Sequence, residues 1–220
     1  MKVIVFGATG MVGQGVLLEC LKDPGVSQVL VVGRSSIGKT HEKLRELLHK
    51  DFEDFSDLVG AFTGYDTCFF CLGVSSVGMS ERDYSHITYD FTLAAAKTLA
   101  LVNPGSTFIY VSGEGTDSTE KGGVMWARVK GKTENMVMNL FPGRGLAFRP
   151  GMILPRDSIR PKNQWLKVLL VVLWPLFVLM RAFPALATDT RTLGRAMIRA
   201  ARDGASPISR TGDINRLGRR

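Results

Sequence analysis

Thirteen residues at the start of the chain limit its architecture more than any other stretch. An apolar run, Lys2-Val3-Ile4-Val5-Phe6, passes at once into Gly7-Ala8-Thr9-Gly10-Met11-Val12-Gly13, and the amphipathic stretch Val16 to Leu21 follows. This order reads as a buried parallel strand, a tight glycine turn and the first turns of a helix. Glycines at 7, 10 and 13 permit the sharp turn, close approach of backbone to a pyrophosphate, and close helix-strand packing. Thr9, Met11 and Val12 share that turn, where the helix offers unpaired N–H groups and a partial positive charge to phosphate. A glycine turn alone is a weak sign. Between an apolar strand and an amphipathic helix it predicts dinucleotide binding.

Downstream residues fit the same reading. Val29-Leu30-Val31-Val32 forms a second strand and ends in Gly33-Arg34-Ser35, with Ser36 and Lys39 close behind. The end of this strand lies beside the adenosine ribose in dinucleotide folds. A carboxylate there suits the 2′-hydroxyl of NAD, whereas arginine accommodates the 2′-phosphate of NADP. Arg34 and Ser35 therefore favour NADP over NAD. His41 to Lys50 has a helical pattern, and Lys50-Asp51-Phe52 reads as a short third strand, with Asp51 placed to accept from the adenine amino group.

A fourth strand, Asp66 to Leu72, runs into Gly73, where a small residue lets backbone pass near the cofactor ribose. Asp83 to Leu101 is predicted as a long helix, Thr107 to Val111 as strand five, Val124 to Leu140 as a helix and Gly145 to Phe148 as strand six. Ser112-Gly113-Glu114-Gly115 lies at the carboxyl end of strand five, and Arg149-Pro150-Gly151 closes strand six. Open parallel sheets bind ligands at those ends. Alternating strands and helices imply right-handed crossovers and an α/β, doubly wound parallel sheet of the Rossmann type. The chain of 220 residues suits one domain over 1–220, with 151–220 as a small, mostly helical C-terminal elaboration serving as substrate lid or interface.

Charge and cysteine usage exclude some classes. Nine Arg, no Lys and three Asp follow from residue 181 onward, so most of the net +8 sits in the tail. Such a tail can face an anionic partner, but a solvated helix face explains it better, and nucleic acid is not expected. Met1-Lys2 leads straight into the first strand with no leader, and three cysteines are too few for a disulfide framework; both point to a cytoplasmic protein. Cys68 and Cys71 have C-x-x-C spacing but lie on a strand, where positions three apart face opposite ways, so packing and not metal ligation is expected.

Gly7-Ala8-Thr9-Gly10-Met11-Val12-Gly13, Gly33-Arg34, Leu72-Gly73, Val111-Ser112-Gly113, Lys130-Gly131 and Arg149-Pro150-Gly151 occur in a telling order and spacing. Together they resemble an atypical short-chain dehydrogenase/reductase of the NAD-dependent epimerase/dehydratase superfamily, nearest to the small oxidoreductase group that includes the HIV-Tat-interacting protein. The resemblance implies a Ser, Tyr and Lys catalytic set. It assigns the serine to Ser112 and the lysine to Lys130, which also holds the nicotinamide ribose, with Leu72, Gly73, Pro150 and Gly151 along the cofactor. The tyrosine position falls on Trp126. Indole N–H only donates and does not titrate usefully, so it cannot serve as general acid–base.

Three readings stay open. The chain is an NADP-dependent oxidoreductase or isomerase on a carbonyl or alcohol, its proton supplied by Tyr110, Tyr84, Glu114 or a water on Ser112. Or it is a catalytically silent NADP-binding sensor. Or it is a peripheral membrane protein using 165–186 and the basic tail. Val168 to Met180 carries no charge, reaches about 20 Å as a helix against roughly 30 Å of bilayer hydrocarbon, and contains Pro175, so it does not span. It calls for a cover: an apolar substrate, a homodimer partner, or the inner face of a membrane. Thr188 to Asp203 is predicted as the last helix and Pro207 to Arg220 as an irregular tail.

Overall fold

The computed structural model describes residues 1–156 and 186–219. Among these the strands are β1 (Lys2–Phe6), β2 (Gln28–Gly33), β3 (Leu44–Leu48), β4 (Thr67–Phe70), β5 (Thr107–Val111), β6 (Gly145–Arg149), β7 (Met152–Leu154), β8 (Ala187–Asp189) and β9 (Ile208–Arg210). The helices are α1 (Met11–Lys22), α2 (Val59–Phe62), α3 (Glu81–Ser85), α4 (Phe91–Val102), α5 (Met125–Leu140), α6 (Thr190–Asp203) and α7 (Thr211–Arg219). Seven strands form one parallel sheet in the order β3-β2-β1-β4-β5-β6-β9, and β7 pairs with β8 in a small second sheet. The first six follow the doubly wound order expected for a dinucleotide-binding fold.

The strands are apolar on both faces because helices cover both faces. Val3, Val5, Val29, Val31 and Phe69 pack with Val16, Leu17 and Cys20 of α1 and Leu193 and Met197 of α6. The alternate residues Ile4, Phe6, Leu30, Val32 and Phe70 pack with Phe62 of α2, Leu99 of α4 and Val137 of α5. Register across the centre places Val5 opposite both Val31 and Phe69. Cys68 and Cys71 do part to opposite sides, Cys68 among the aromatics and Cys71 on the α1 side. Burial pushes both thiols up, Cys71 to about 12.

Three local expectations are corrected. The helix expected over 41–50 is instead the edge strand β3. Its backbone completes β2, with Val29 N–H donating to Lys43 O at 2.8 Å and His49 N–H to Gly33 O at 3.0 Å. Sheet pairing overrides the leucine spacing there, and Leu48 is left 62% exposed. Residues 50–52 are consequently a loop and not the third strand. The long helix over 83–101 is interrupted by a π turn at His86–Asp90.

The tail is ordered, not irregular: β9 adds a seventh strand through Ala147↔Ile208, and α7 packs on α6. The last long helix begins at Thr190, with Asp189 as its cap accepting from Thr192 N–H at 2.8 Å. The arginines of the tail are not simply solvated. Arg195 reaches buried Glu19 at 2.8 Å, Arg202 reaches Asp23 at 2.7 Å, and Arg216 pairs with Asp213. Among the described residues no helix is long and apolar enough to cross a membrane. The apolar run Val168 to Met180 lies outside them, as does most of 165–186.

Candidate active site

The carboxyl ends of β1, β4, β5 and β6 open on one side of the sheet, and a groove follows them in two joined compartments. The first, of 380 Å³, is walled by Gly7, Thr9, Arg34, Phe52, His86 and Phe91. The second, of 510 Å³, is walled by Met11, Val12, Val111, Ser112, Glu114, Trp126, Lys130, Pro150, Gly151 and Ile153. Gly10, Cys71, Leu72, Gly73 and Val74 border both.

The glycine turn divides its work. Gly7 has φ 78°, and a Cβ there would lie 2.6 Å from Leu72 N; at Gly13 it would lie 2.2 Å from Gly7 O. These two are required by the protein's own packing. A Cβ on Gly10 would meet only Gly7 O at 3.3 Å, and one on Gly73 nothing within 4 Å. Both therefore leave the groove wall bare where an elongated ligand would lie. Gly10 is the α1 N-cap and supplies no side-chain cap, so the first helical N–H groups face the groove uncapped. Bare backbone, uncapped N–H groups and a partial positive charge are what a diphosphate requires.

At the far end, exposed Arg34 holds its guanidinium carbon 5.9 Å over the Phe52 ring. Arg34 has no ion-pair partner among the described residues. Phe52 is 3% exposed, wedged edge-on against Phe6 and Phe55. Ser35 and Asp51 do not wall the groove; the Asp51 carboxylate accepts from Glu53 N–H at 2.9 Å. Two elements here escaped sequence reasoning. Glu46 of β3 fastens the loop after Arg34, accepting from Ser36 Oγ at 2.7 Å and Ile37 N–H at 2.6 Å. His86, in the π turn, has Nε2 3.0 Å from Glu53 Oε1 and Nδ1 3.3 Å from Asp90 Oδ2. Such π turns recur at functional sites.

In the second compartment Lys130 Nζ donates to Ser112 O at 2.6 Å, so Lys130 of α5 and the end of β5 meet at the wall. The Ser112 hydroxyl is turned inward, donating to the Glu134 carboxylate, with Phe148 O at 3.2 Å. Glu134 in turn receives the Arg149 guanidinium, Nε lying 3.0 Å and 3.2 Å from its two oxygens. Burial pulls the Lys130 ammonium down to about 8, opposed by nearby Glu134. Gly131 makes room for the loop after β5: a Cβ there would lie 1.8 Å from Asp117 O.

Trp126 lies against Gly115, whose Cβ would be 3.3 Å from the indole. Tyr110 and Tyr84 wall neither compartment, and burial raises both hydroxyls. Glu114 pairs with Arg210 of β9 at 2.9 Å. Glu134 was not identified from the sequence, although it stands one helical turn after Lys130, on the same face.

No family model matches the chain. It is 30% identical over 168 residues to protein HTATIP2 of Rattus norvegicus, covering 75% of this chain and 68% of that protein. It is 26% identical over 227 residues to "Protein fmp52-2, mitochondrial" of Aspergillus oryzae, covering 98% of this chain and 96% of that protein. Among solved structures it superposes on the Bordetella bronchiseptica enzyme WbmF in complex with NAD+, at TM-score 0.67 and 16% identity, covering 98% of this chain and 76% of that one. That likeness shows the fold. The cytoplasmic placement expected from the sequence is overturned by the fungal relatives, which are mitochondrial proteins by name. A strand that starts at residue 2 says nothing about compartment, which is set by receptor-read addresses and not by the fold.

Proposed function

The chain belongs to the HTATIP2 family, an atypical short-chain dehydrogenase/reductase group with a dinucleotide-binding fold, and from that premise we propose that it is an NADP-dependent oxidoreductase acting on a small apolar carbonyl or alcohol. The observation that carries this reading is the groove itself, with a guanidinium at one end that has no ion-pair partner among the described residues and a desolvated ammonium at the other.

Gly10, Met11 and Val12 would hold the diphosphate through main-chain N–H groups. Arg34 would take the 2′-phosphate, and Phe52 would floor the adenine. Leu72 and Gly73 pass beneath the middle, while Pro150 and Gly151 wall the nicotinamide end beside Lys130. When bound, the reduced dinucleotide supplies a hydride. The chain's own part is to desolvate the site, orient the substrate carbonyl and manage a proton. Val74, Val111, Trp126 and Ile153 give the second compartment apolar walls, which suits a substrate without charge.

Calorimetry tests the reading directly. NADPH is expected to bind at least tenfold more tightly than NADH, and NADPH is expected to be consumed with members of a panel of aldehydes, ketones and quinones. No heat with either coenzyme removes the reading. Trp126 in the tyrosine position favours one alternative, a silent sensor of NADP state; tight NADPH binding without turnover on any panel member selects it.

A further inference from the structure

We propose that Lys130 itself delivers the proton to the substrate oxygen, doing the acid's work for which Trp126 has no chemistry. The proposal rests on the dinucleotide reading above and deepens it.

The proton must leave from a group that faces the second compartment. Among the described residues walling it, Cys71, Glu114 and Lys130 have titratable side chains, and Ser112 and Trp126 carry an O–H and an N–H. Each of the others is disqualified by what it touches. The Ser112 hydroxyl hydrogen is committed to Glu134, away from the compartment. The Glu114 carboxylate is paired with Arg210 Nη1 at 2.9 Å, and a paired carboxylate accepts and does not donate. Cys71 is an acid of about 12, too weak to release a proton near neutrality. Indole N–H does not ionise in this range. Tyr110 and Tyr84 are 1% and 2% exposed and do not reach the groove.

Lys130 meets the requirements of position and of chemistry. An ammonium has three N–H donors, and one is used on Ser112 O at 2.6 Å, which fixes Nζ at the compartment wall. The other two have no hydrogen-bond partner among the described residues. Desolvation brings the group to about 8, and a general acid works best with its pKa near the operating pH. The nearby Glu134 carboxylate opposes the desolvation, so the ammonium stays charged at neutral pH instead of losing its proton altogether. In the forward direction a hydride given up by the reduced dinucleotide, whose C–H bond breaks as it is oxidised, would make a C–H bond at the carbonyl carbon, and the C=O π pair would pass to oxygen. That oxygen bonds the proton released by Lys130 Nζ, and the neutral amine regains a proton from water. Alcohol oxidation runs the same transfer backwards, with the neutral amine as base.

The test begins on the ligand-free chain, with 13C-labelled lysines followed by NMR against pH and the Lys130 signal assigned by its loss in Lys130→Met. A midpoint near 8 is expected; a midpoint above 10 overturns the proposal. Lys130→Arg then retains the positive charge but cannot release a proton. At saturating NADPH it is expected to lose at least about 100-fold in carbonyl reduction, the usual scale of acid–base catalysis. In the native chain, turnover is expected to fall about tenfold per pH unit above 8. Lys130→Arg turnover within fivefold of native overturns proton delivery by Lys130. So does tight NADPH binding with no panel carbonyl reduced, which leaves the nucleotide site standing; failure of NADPH to bind removes that site and the proposal with it.

Discussion

Arg149 grips Glu134 as a buried fork, its Nε 3.0 Å and 3.2 Å from the two carboxylate oxygens, with side chains 6% and 0% exposed. The pair joins the end of β6 to the middle of α5, and Ser112 adds the end of β5 through its hydroxyl. Buried charges gain little net stability as a pair, because desolvation offsets their attraction, but removing one strands the other. Arg149→Met is therefore expected to lower stability by about 3–5 kcal/mol. Adding Glu134→Leu should restore at least half of that loss. Urea unfolding of the two singles and the double checks it, and simple additivity would show that the pair is not coupled.

Two glycines of the opening turn should fail in different ways. A Cβ at residue 13 would overlap Gly7 O at 2.2 Å, so Gly13→Ala forces the turn and α1 apart. Overpacking of this kind costs about 1–3 kcal/mol, and the melting temperature should drop without any ligand present. Gly10 has φ −85°, which alanine adopts freely, and its Cβ would meet only Gly7 O, at 3.3 Å. Gly10→Ala should lose less melting temperature than Gly13→Ala yet bind NADPH at least about tenfold more weakly, because the new methyl stands in the groove. Equal loss of melting temperature in both would refute the division of roles.

Much of this could be read beforehand because the dinucleotide half of the fold writes itself in local signals. Apolar runs bounded by glycine fixed β1, β2, β5 and β6, and the turn chemistry fixed where the groove begins. Leu44, Leu47 and Leu48 misled because their spacing suits a helix, whereas β3 is decided by hydrogen bonds to β2, a partner 15 residues earlier in register. Ile208–Arg210 is invisible for the same reason: three residues become a strand only through β6. Position along the chain was enough to bring Arg34, Ser112 and Lys130 to the groove wall, but not to tell where Ser112 points. That depends on Glu134, a carboxylate on a helix that reads as solvated until β5 and β6 close over it.

Arg34 bears on which coenzyme is preferred. Its guanidinium lies 5.9 Å above the Phe52 ring with no carboxylate of the described residues paired to it, and the loop behind it is fastened by Glu46. Charged hydrogen bonds to a phosphate contribute about 1.5–3 kcal/mol. Arg34→Ala should therefore weaken NADPH about 10- to 100-fold while changing NADH by less than about threefold. Calorimetry with both coenzymes decides the point, and an equal loss for the two would remove Arg34 from the 2′-phosphate.

Lys130 also leaves a mark on stability that needs no substrate. Its ammonium is brought down by burial from 10.5 to about 8. Below pH 8 the group is protonated both folded and unfolded, and the folded chain bears the full cost of keeping a charge out of water. Between about 8 and 10.5 the unfolded chain holds a proton that the folded chain has released. Stability therefore rises with pH across this window. A displacement of this size corresponds to roughly 3 kcal/mol. Lys130→Met carries no such charge, so the native chain should gain on the variant by about that amount between pH 8 and 10.5, while the difference stays level from pH 6 to 7.5. Unfolding in urea at pH 6, 7.5, 9 and 10.5 measures it. A difference that does not change with pH would mean that the ammonium is fully hydrated in the folded chain, and Lys130 would then have no more acidity to offer a substrate than any surface lysine.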